Sequence, residues 1–364
     1  MLIRGLDIED FAIYDRFSID FSPNINIISG ENSVGKTVLL KTIYSMVKTL
    51  DNIYIESTNP LKPKITVDKV KEMLMEKFIG VFRPDNGEIG RLVKRKVGRN
   101  SSIVRLKINS NDEFEFSFSQ TLKLSKEIKK LADKVHAVYI PPKEIISATE
   151  NFSSLYDDYH IAFEETYSDL SKLLLKPLKR GPNSQEQDKV LKIFENIIEG
   201  KVIQKQGGKF FLKTKGIGEI EMGLVAEGYR KLATILHLIS NGSLGPETVL
   251  FWDEPESNLN PKSIQSLVKV IVELAKMGVQ IFIATHSYFI QQEFTMFSEY
   301  ESSKANLDVK FFSLYRNKDV KDGRGSILVE SADSIKNISY NAIVDEFKQL
   351  YNRGVEKLYE GRKN

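Results

Sequence analysis

The residues Gly30-Glu31-Asn32-Ser33-Val34-Gly35-Lys36-Thr37 lie near the amino terminus and match the pattern G-x-x-x-x-G-K-[ST]. In this pattern the glycines let the backbone curl around an anion, so that its N–H groups bind the phosphates of a nucleotide. Lys36 then reaches the β- and γ-phosphates, and the hydroxyl of Thr37 is a ligand for Mg²⁺. The motif therefore predicts a nucleotide site in which all eight residues take part.

The sequence on both sides of this loop supports the same interpretation. Residues 25–28 form an apolar run typical of a strand, and residues 38–43 have helical spacing. A strand, a loop and then a helix is the order that points the positive end of a helix dipole at a phosphate. We therefore expect an α/β fold of the P-loop NTPase type.

The composition limits the class of protein. The 364 residues are 41% hydrophobic and 28% charged, as in a soluble globular protein. No stretch approaches about 18 uncharged apolar residues, so we expect no contact with a membrane. The chain has no cysteine, which excludes disulfides and thiolate metal sites and is typical of a cytoplasmic protein.

A second group of residues, far along the chain, has the chemistry of an ATPase site. Residues 248–252 form an apolar strand that ends in Asp253 and Glu254. A carboxylate beside the phosphate loop can hold Mg²⁺, and we predict this role for Asp253 together with Thr37. Glu254 can accept a proton from the attacking water. ATP and Mg²⁺ are thus the predicted ligands, with Glu254 and Lys36 as catalytic residues.

A histidine follows the next apolar strand, which we predict over residues 279–284. This strand should run parallel to the strand before Asp253, so His286 should emerge at the same edge of the sheet. That edge also carries the phosphate loop. We therefore predict that His286 is a third catalytic residue, which senses the γ-phosphate.

The remaining pattern predicts two parts. Residues 1–50 and 201–364 should form a discontinuous ATPase core with a mostly parallel sheet and an antiparallel β subdomain. Residues 51–200 should form an insertion with β-hairpins and a helical lobe. Within these parts we predict hairpins over residues 103–118 and 201–213 and a short helix over residues 124–135.

These motifs resemble those of the ABC-type ATPases of the SMC/RecF/OLD group. The likeness is strongest to stand-alone bacterial AAA-family ATPases of phage-defence and toxin operons. Residues 3–11 resemble the first strand of the group, residues 253–261 its Walker B motif and D-loop, and residues 284–287 its switch loop. Residues 226–232 resemble the signature at the start of a helix. The resemblance implies the fold of an ABC-ATPase head.

The resemblance also implies a mechanism. In such ATPases two heads sandwich two nucleotides, and the signature helix of one head contacts the γ-phosphate held by the other. Ala226 and Gly228 would make this contact here. The implied partner is a second copy of the chain in an ATP-dependent homodimer, from which a higher assembly can grow.

Three positions depart from the pattern of the group. Ala226 stands where a serine is common, and Ala12 stands where a basic residue usually follows the first strand. No glutamine stands at the position of the Q-loop, which is taken by Tyr139-Ile140-Pro141-Pro142-Lys143-Glu144.

A basic run offers a further binding site. Its candidate nucleic-acid contacts are Arg91, Lys94, Arg95, Lys96, Arg99 and Arg105, and no acidic residue interrupts the run from residue 91 to residue 107. Such a run can neutralise phosphates. The alternative is a solvated hairpin edge that prevents strand-to-strand aggregation.

Two functions remain open. The chain has no heptad run for an SMC arm and no motif of a Toprim or HNH nuclease. The first function is therefore a regulatory ATPase that controls a separately encoded effector, such as a nuclease or toxin, in anti-phage defence. The second is a RecF-like DNA-binding repair or recombination ATPase. A transporter ATPase ranks third, because the signature lacks the Ser-Gly-Gly run.

Overall fold

A computed structural model of the chain describes residues 1–61, 64–98, 100–109, 112–124, 134–159, 161–317 and 326–360. Most of the helix predicted over residues 124–135, and the nucleic-acid candidate Arg99, lie outside the described residues.

The described residues form groups of strands and helices, which alternate one by one only from β10 to α8. The strands are β1 (Ile3–Phe11), β2 (Tyr14–Asp20), β3 (Ile25–Gly30), β4 (Ser102–Ile108), β5 (Asp112–Phe118), β6 (Leu122–Leu124), β7 (His136–Ile140), β8 (Gly200–Gln204), β9 (Phe210–Thr214), β10 (Gly218–Glu221), β11 (Thr248–Asp253), β12 (Gln280–Ala284), β13 (Val309–Arg316) and β14 (Ile327–Ala332). The helices are α1 (Lys36–Ser57), α2 (Val67–Phe82), α3 (Phe152–Tyr159), α4 (Glu165–Leu174), α5 (Gln185–Ile197), α6 (Glu227–Ser240), α7 (Ile264–Lys276), α8 (Tyr288–Tyr300), α9 (Ser302–Ala305) and α10 (Ala342–Glu360).

The central sheet has six strands in the order β14-β13-β3-β12-β11-β7. Its neighbours run parallel except β13 and β14, which pair antiparallel. Every residue of β3, β11 and β12 is buried, as expected of parallel strands covered on both faces. Asp253 pairs with Ala284, and Ala284 pairs with Ile28. The register therefore brings the ends of β3, β11 and β12 to one edge of the sheet.

Alternating side chains of these strands feed two separate cores. Ile27 and Trp252 belong to the core that α6, α7 and α8 complete, whereas Ile28 and Phe251 belong to the core that contains α1. On the α1 side lies an antiparallel sheet in the order β2-β1-β4-β5-β6, and Phe78 of α2 packs into the same core. A third sheet has the order β10-β9-β8.

The structure contains the two predicted hairpins, and the division into an ATPase core and an insertion stays a prediction. The predicted hairpins correspond to the pairs β4–β5 and β8–β9, and β10 is an additional strand. Two strands from residues 51–200 join sheets formed by other parts of the chain: β4 pairs with β1, and β7 pairs with β11. Local pattern gives the strand but not its partner, which lies more than a hundred residues away for β7.

Candidate functional site

The phosphate loop connects β3 to α1 in a conformation that requires glycine at two places. Gly30 has a φ of 148°, and a Cβ on it would lie 2.3 Å from the carbonyl oxygen of Leu314. Gly35 has a φ of 96°, and a Cβ on it would lie 2.5 Å from the hydroxyl of Tyr14. The two glycines therefore let the loop pack against its neighbours while the first turn of α1 opens towards it.

Lys36 bends back over the loop that precedes it. Its Nζ donates to the carbonyl oxygens of Gly30 at 2.9 Å and of Glu31 at 2.8 Å. Burial lowers the pKa of Lys36, whereas Glu254 and Asp253 favour its charged form. The ammonium is thus held at the rim of the loop, where a bound phosphate can replace the carbonyl oxygens as its partner.

Thr37 and Asp253 lie in contact, although they are far apart in the sequence. Thr37 Oγ1 donates to Asp253 Oδ2 at 2.8 Å, and the hydroxyl of Tyr139 lies 3.2 Å from the same oxygen. Burial raises the pKa of Asp253 to about 6. A hydroxyl and a carboxylate beside a phosphate loop fit Mg²⁺, which takes few protein oxygens and fills its shell with water and phosphate.

Glu254 and His286 meet next to this pair. The N–H of Glu254 donates to the carbonyl oxygen of Ala284 at 2.9 Å, and its φ is 50°. Its carboxylate Oε1 lies 3.3 Å from Nδ1 of His286. Both side chains are partly exposed, so substrate and water can reach them. The predicted catalytic residues Lys36, Glu254 and His286 therefore lie at one edge of the central sheet.

Glu256 holds the switch loop in this position. Its Oε1 accepts from the Thr285 hydroxyl at 2.6 Å and from the backbone N–H of His286 at 3.2 Å. Burial raises the pKa of Glu256. Glu256 lies within the Walker B motif, and the motif alone predicts no role for it.

The other residues of the phosphate loop differ in what they expose. Val34 is fully buried in the α1 core, so only its backbone can face a ligand. Glu31, Asn32 and Ser33 are exposed.

Two hydrogen bonds from the carboxyl-terminal part of the chain hold this side of the phosphate loop. Tyr340 donates its hydroxyl to Glu31 Oε1 at 3.0 Å, and Arg316 Nη2 donates to the carbonyl oxygen of Ser33 at 3.0 Å.

The signature residues pack on the Walker B segment of the same chain. Ala226 is exposed at the N-cap of α6. Gly228 is buried, and a Cβ on it would lie 2.6 Å from the carbonyl oxygen of Asn258. Lys231 is also buried, and its Nζ donates to the hydroxyl of Ser257 and lies 3.4 Å from the carbonyl oxygen of Glu254. The start of α6 is therefore tied to the segment that carries Glu254.

The segment at the position of the Q-loop also reaches α6. Tyr139 contacts Asp253, as described above, and Glu144 follows it after two prolines. Glu144 Oε1 accepts from Arg230 Nη1 at 2.5 Å, and the Glu144 side chain is buried. One short segment thus links Asp253 to the signature helix.

The basic run is largely neutralised by carboxylates that lie outside the run, some nearby in the sequence and some about 80 or more residues away. Arg91 pairs with Asp85 and Glu88, and Lys94 pairs with Asp15 at 2.5 Å. Lys96 pairs with Asp10 and Asp15, and Arg105 pairs with Asp7 and Glu115. Arg95 is exposed. This arrangement is that of a solvated, ion-paired edge, so nucleic-acid binding by these residues stays a prediction.

The sequence carried a signal for some of the additional site residues and none for others. Glu256 and Lys231 lie inside recognised motifs, where a buried ionisable side chain is a reasonable expectation. Tyr340 and Arg316 lie in segments without a motif and reach the phosphate loop only through the tertiary fold.

Comparisons with known proteins agree with this geometry. The profile of the family described as "AAA domain, putative AbiEii toxin, Type IV TA system" matches residues 25–290. The DNA replication and repair protein RecF of Lachnoclostridium phytofermentans is 35% identical over 49 residues, 14% of this chain and 14% of that protein. RecF of Halalkalibacterium halodurans is 43% identical over 44 residues, 12% of each chain. This chain thus spans 14% or less of the length of these relatives.

Solved structures with a similar fold are SMC head domains. An SmcHead bound to the C-winged helix domain of ScpA matches with a TM-score of 0.54 at 14% identity, over 92% of this chain and 98% of that one. An Smc head domain with an extended coiled coil, bound to the C-terminal domain of ScpA derived from Pyrococcus furiosus, matches with a TM-score of 0.50 at 12% identity, over 95% of this chain and 99% of that one. The predicted P-loop ATPase fold of the SMC-head type is confirmed. Among the helices that the structure describes, none is long and apolar enough to cross a membrane.

Proposed function

The chain belongs to the family of AAA domains whose profile matches residues 25–290, and from that premise we propose that it binds ATP with Mg²⁺ and hydrolyses the bond between the β- and γ-phosphates. What supports hydrolysis most directly is the meeting of four side chains from three separate segments of the sequence. Thr37 contacts Asp253, and Glu254 contacts His286, at the end of adjacent strands of one sheet.

Each residue has a role that its surroundings favour. Lys36 and the backbone of residues 30–37 bind the phosphates, and Thr37 and Asp253 hold Mg²⁺, which neutralises phosphate charge. Glu254 accepts a proton from the attacking water, because its carboxylate is accessible and close to the site. His286, oriented by Glu256, contacts the γ-phosphate and responds to its loss.

We further propose that ATP joins two heads, with Ala226 and Gly228 of one copy on the γ-phosphate held by the other. A helix N-terminus is suited to an anion, and Ala226 is exposed there. The contact of Lys231 with the backbone of Glu254 provides a path from the signature helix to the catalytic carboxylate.

The role we propose is the regulation of a separately encoded effector, such as a nuclease or toxin, in anti-phage defence. The family description, which names a toxin and a toxin–antitoxin system, supports this role. In this proposal the ATP-bound dimer holds the effector in one state and hydrolysis releases it. A pull-down with the product of a neighbouring gene, with and without ATP, tests the partner.

The alternative function is that of a RecF-like DNA-binding ATPase, which the identity to RecF over 44–49 residues favours. Under this alternative, reversing Arg95, Lys96 and Arg99 to glutamate weakens duplex DNA binding and flattens its salt dependence. Arg95→Glu alone is the cleaner variant, because Lys96 also pairs with Asp10 and Asp15. Unchanged affinity and salt slope in both variants speak against the alternative.

Binding and dimerisation are tested with two variants. Lys36→Ala should abolish binding of a fluorescent ATP analogue, because the phosphates lose their buried cation. Glu254→Gln should still bind ATP and should accumulate as a dimer that light scattering detects only with ATP. ATP affinity unchanged by Lys36→Ala would refute the role of the phosphate loop, and a Glu254→Gln monomer in ATP would refute the sandwich.

A further inference from the structure

The last helix, α10, carries a stripe of apolar side chains that the described part of the chain does not cover. Leu350 is 56% exposed, Tyr351 73% and Leu358 68%. At 100° per residue these three and Phe347 fall on one side of the helix, with Gly354 between them. Such a stripe is typical of a helix that packs against another helix.

The base of α10 is held firmly next to the nucleotide site. Phe347 stacks on Tyr288 with ring centroids 3.8 Å apart. Tyr288 comes directly after the switch loop, two residues after His286. Asn341, just before the helix, donates to Gln291 of α8 at 2.7 Å. Tyr340 contacts Glu31 of the phosphate loop. The exposed stripe therefore continues from a helix start that is packed against α8 and the phosphate loop.

Charged residues line one edge of the stripe in a particular order. Glu346 lies near the start of α10, and Arg353 and Lys357 lie further along the same edge, as the 3.0 Å contact between Arg353 and Glu346 indicates. The edge is thus negative near the start of the helix and positive near its end. Two such helices in antiparallel orientation present opposite charges to each other.

We propose that α10 pairs antiparallel with α10 of a second copy of this chain. With the crossing point between residues 351 and 352, Glu346 of each copy faces Lys357 of the other, and the pair forms twice by symmetry. Gly354 lies near the crossing and lets the two backbones approach closely. In a parallel pair the charged edges of the two copies would instead lie on opposite sides of the interface, so Glu346 and Lys357 would have no partner of opposite charge across it.

This pairing is separate from the ATP sandwich, because it uses no residue of the phosphate loop or the signature. It gives the protein a self-association surface that does not depend on the nucleotide. Its test is therefore made without ATP, and again in the Lys36→Ala background, so that a failure of the sandwich leaves the result interpretable.

The absence of cysteine makes the geometry testable with a single introduced thiol. Tyr351→Cys in the full chain, treated with a short bis-maleimide, should give a covalent dimer, because the two thiols lie at the crossing point. Leu358→Cys is the matched control on the same stripe. In the antiparallel pair its two thiols are about 20 Å apart along the helix axes and should not be joined. Equal cross-linking of both variants, or none of Tyr351→Cys, would overturn the proposal.

A charge swap in the Tyr351→Cys chain tests the register. Glu346→Lys alone and Lys357→Glu alone should each lower the cross-linked fraction several-fold, because like charges then meet twice. The double variant restores opposite charges and should recover the cross-linking. Single variants without effect, or a double variant as impaired as the single ones, would overturn the antiparallel pairing and favour a partner of a different sequence.

Discussion

At the scale of single residues, Asp253 is a buried carboxylate at the position where we propose that Mg²⁺ binds. It accepts from two hydroxyls, those of Thr37 and Tyr139, in a buried position. Burial raises its pKa from 3.8 to about 6, so the folded protein favours the neutral acid. The stability that the neutral form provides is complete below pH 3.8 and is lost as the pH rises through about 6.

Asp253→Asn should therefore stabilise the protein without metal and nucleotide at neutral pH. The amide oxygen can still accept from both hydroxyls, and no buried charge remains. We expect a gain on the order of 1–3 kcal/mol in the free energy of unfolding at pH 7.5 and almost none near pH 4. Urea unfolding at the two pH values measures this, and a variant less stable than the original at pH 7.5 would contradict it.

At Gly228 the close packing of the chain explains why the residue is a glycine. A Cβ there would lie 2.6 Å from the carbonyl oxygen of Asn258 and 2.7 Å from Leu259 Cδ2. Gly228→Ala should push the start of α6 away from the Walker B segment and cost about 1–3 kcal/mol of stability. ATP turnover should fall with it, because Lys231 moves relative to Glu254.

The matched control for this variant is Gly223→Ala, where an added Cβ meets no atom within 4 Å. This control should leave both the unfolding curve and ATP turnover unchanged. Equal behaviour of the two variants would show that the packing at Gly228 has no part in the site.

At the scale of elements, α2 and α4 are joined by buried charge. Lys77 of α2 lies 2.5 Å from Glu165 and 2.9 Å from Asp169 of α4, and the hydroxyl of Tyr44 donates to Asp169. Asp169 and Glu165 raise the pKa of Lys77, although burial by itself lowers it. The interaction fixes α2 and α4 to each other and to α1.

Lys77→Met should be strongly destabilising, because it leaves two carboxylates without their cation. We expect a loss of about 3–5 kcal/mol in the free energy of unfolding. Lys71→Met removes an exposed pair with Asp68 on the same helix and should cost at most about 1 kcal/mol. Similar losses in the two variants, measured by urea unfolding, would contradict the proposed role of the buried pair.

The elements near the site were predictable because local pattern and chemistry coincide there. The apolar runs of β3, β11 and β12 have the length of buried strands, and each ends at, or two residues before, a residue with a predicted role. The place of β7 beside β11 was not predictable, since no local feature records which strand it joins. Nor was the neutralisation of Lys94 by Asp15, because these residues meet only when β1, β2 and the following segment fold together.

At the scale of the whole molecule, one edge of the central sheet connects the parts that a switch needs. The switch loop lies between β12 and α8, and α8 supports the base of α10. The Q-loop position connects Asp253 to α6 through Tyr139 and Glu144. Loss of a γ-phosphate at this edge would therefore act on both the signature helix and the start of α8.

The trigger of such a switch can be identified by the stimulation of ATP turnover. We expect turnover to be insensitive to duplex DNA, single-stranded DNA and RNA and to respond to a protein partner, because the basic run is largely ion-paired. Stimulation by one of the nucleic acids, with a steep salt dependence, would instead favour the RecF-like function.

The central claim is that this edge of the sheet hydrolyses ATP through Glu254. Phosphate release by the purified protein with ATP and Mg²⁺, compared with that of Glu254→Gln, tests it most directly. We expect steady turnover that is lost in Glu254→Gln while ATP remains bound. Turnover that persists in Glu254→Gln would contradict this role. So would an unaltered protein that binds ATP but releases no phosphate, alone or with DNA, RNA or a protein partner.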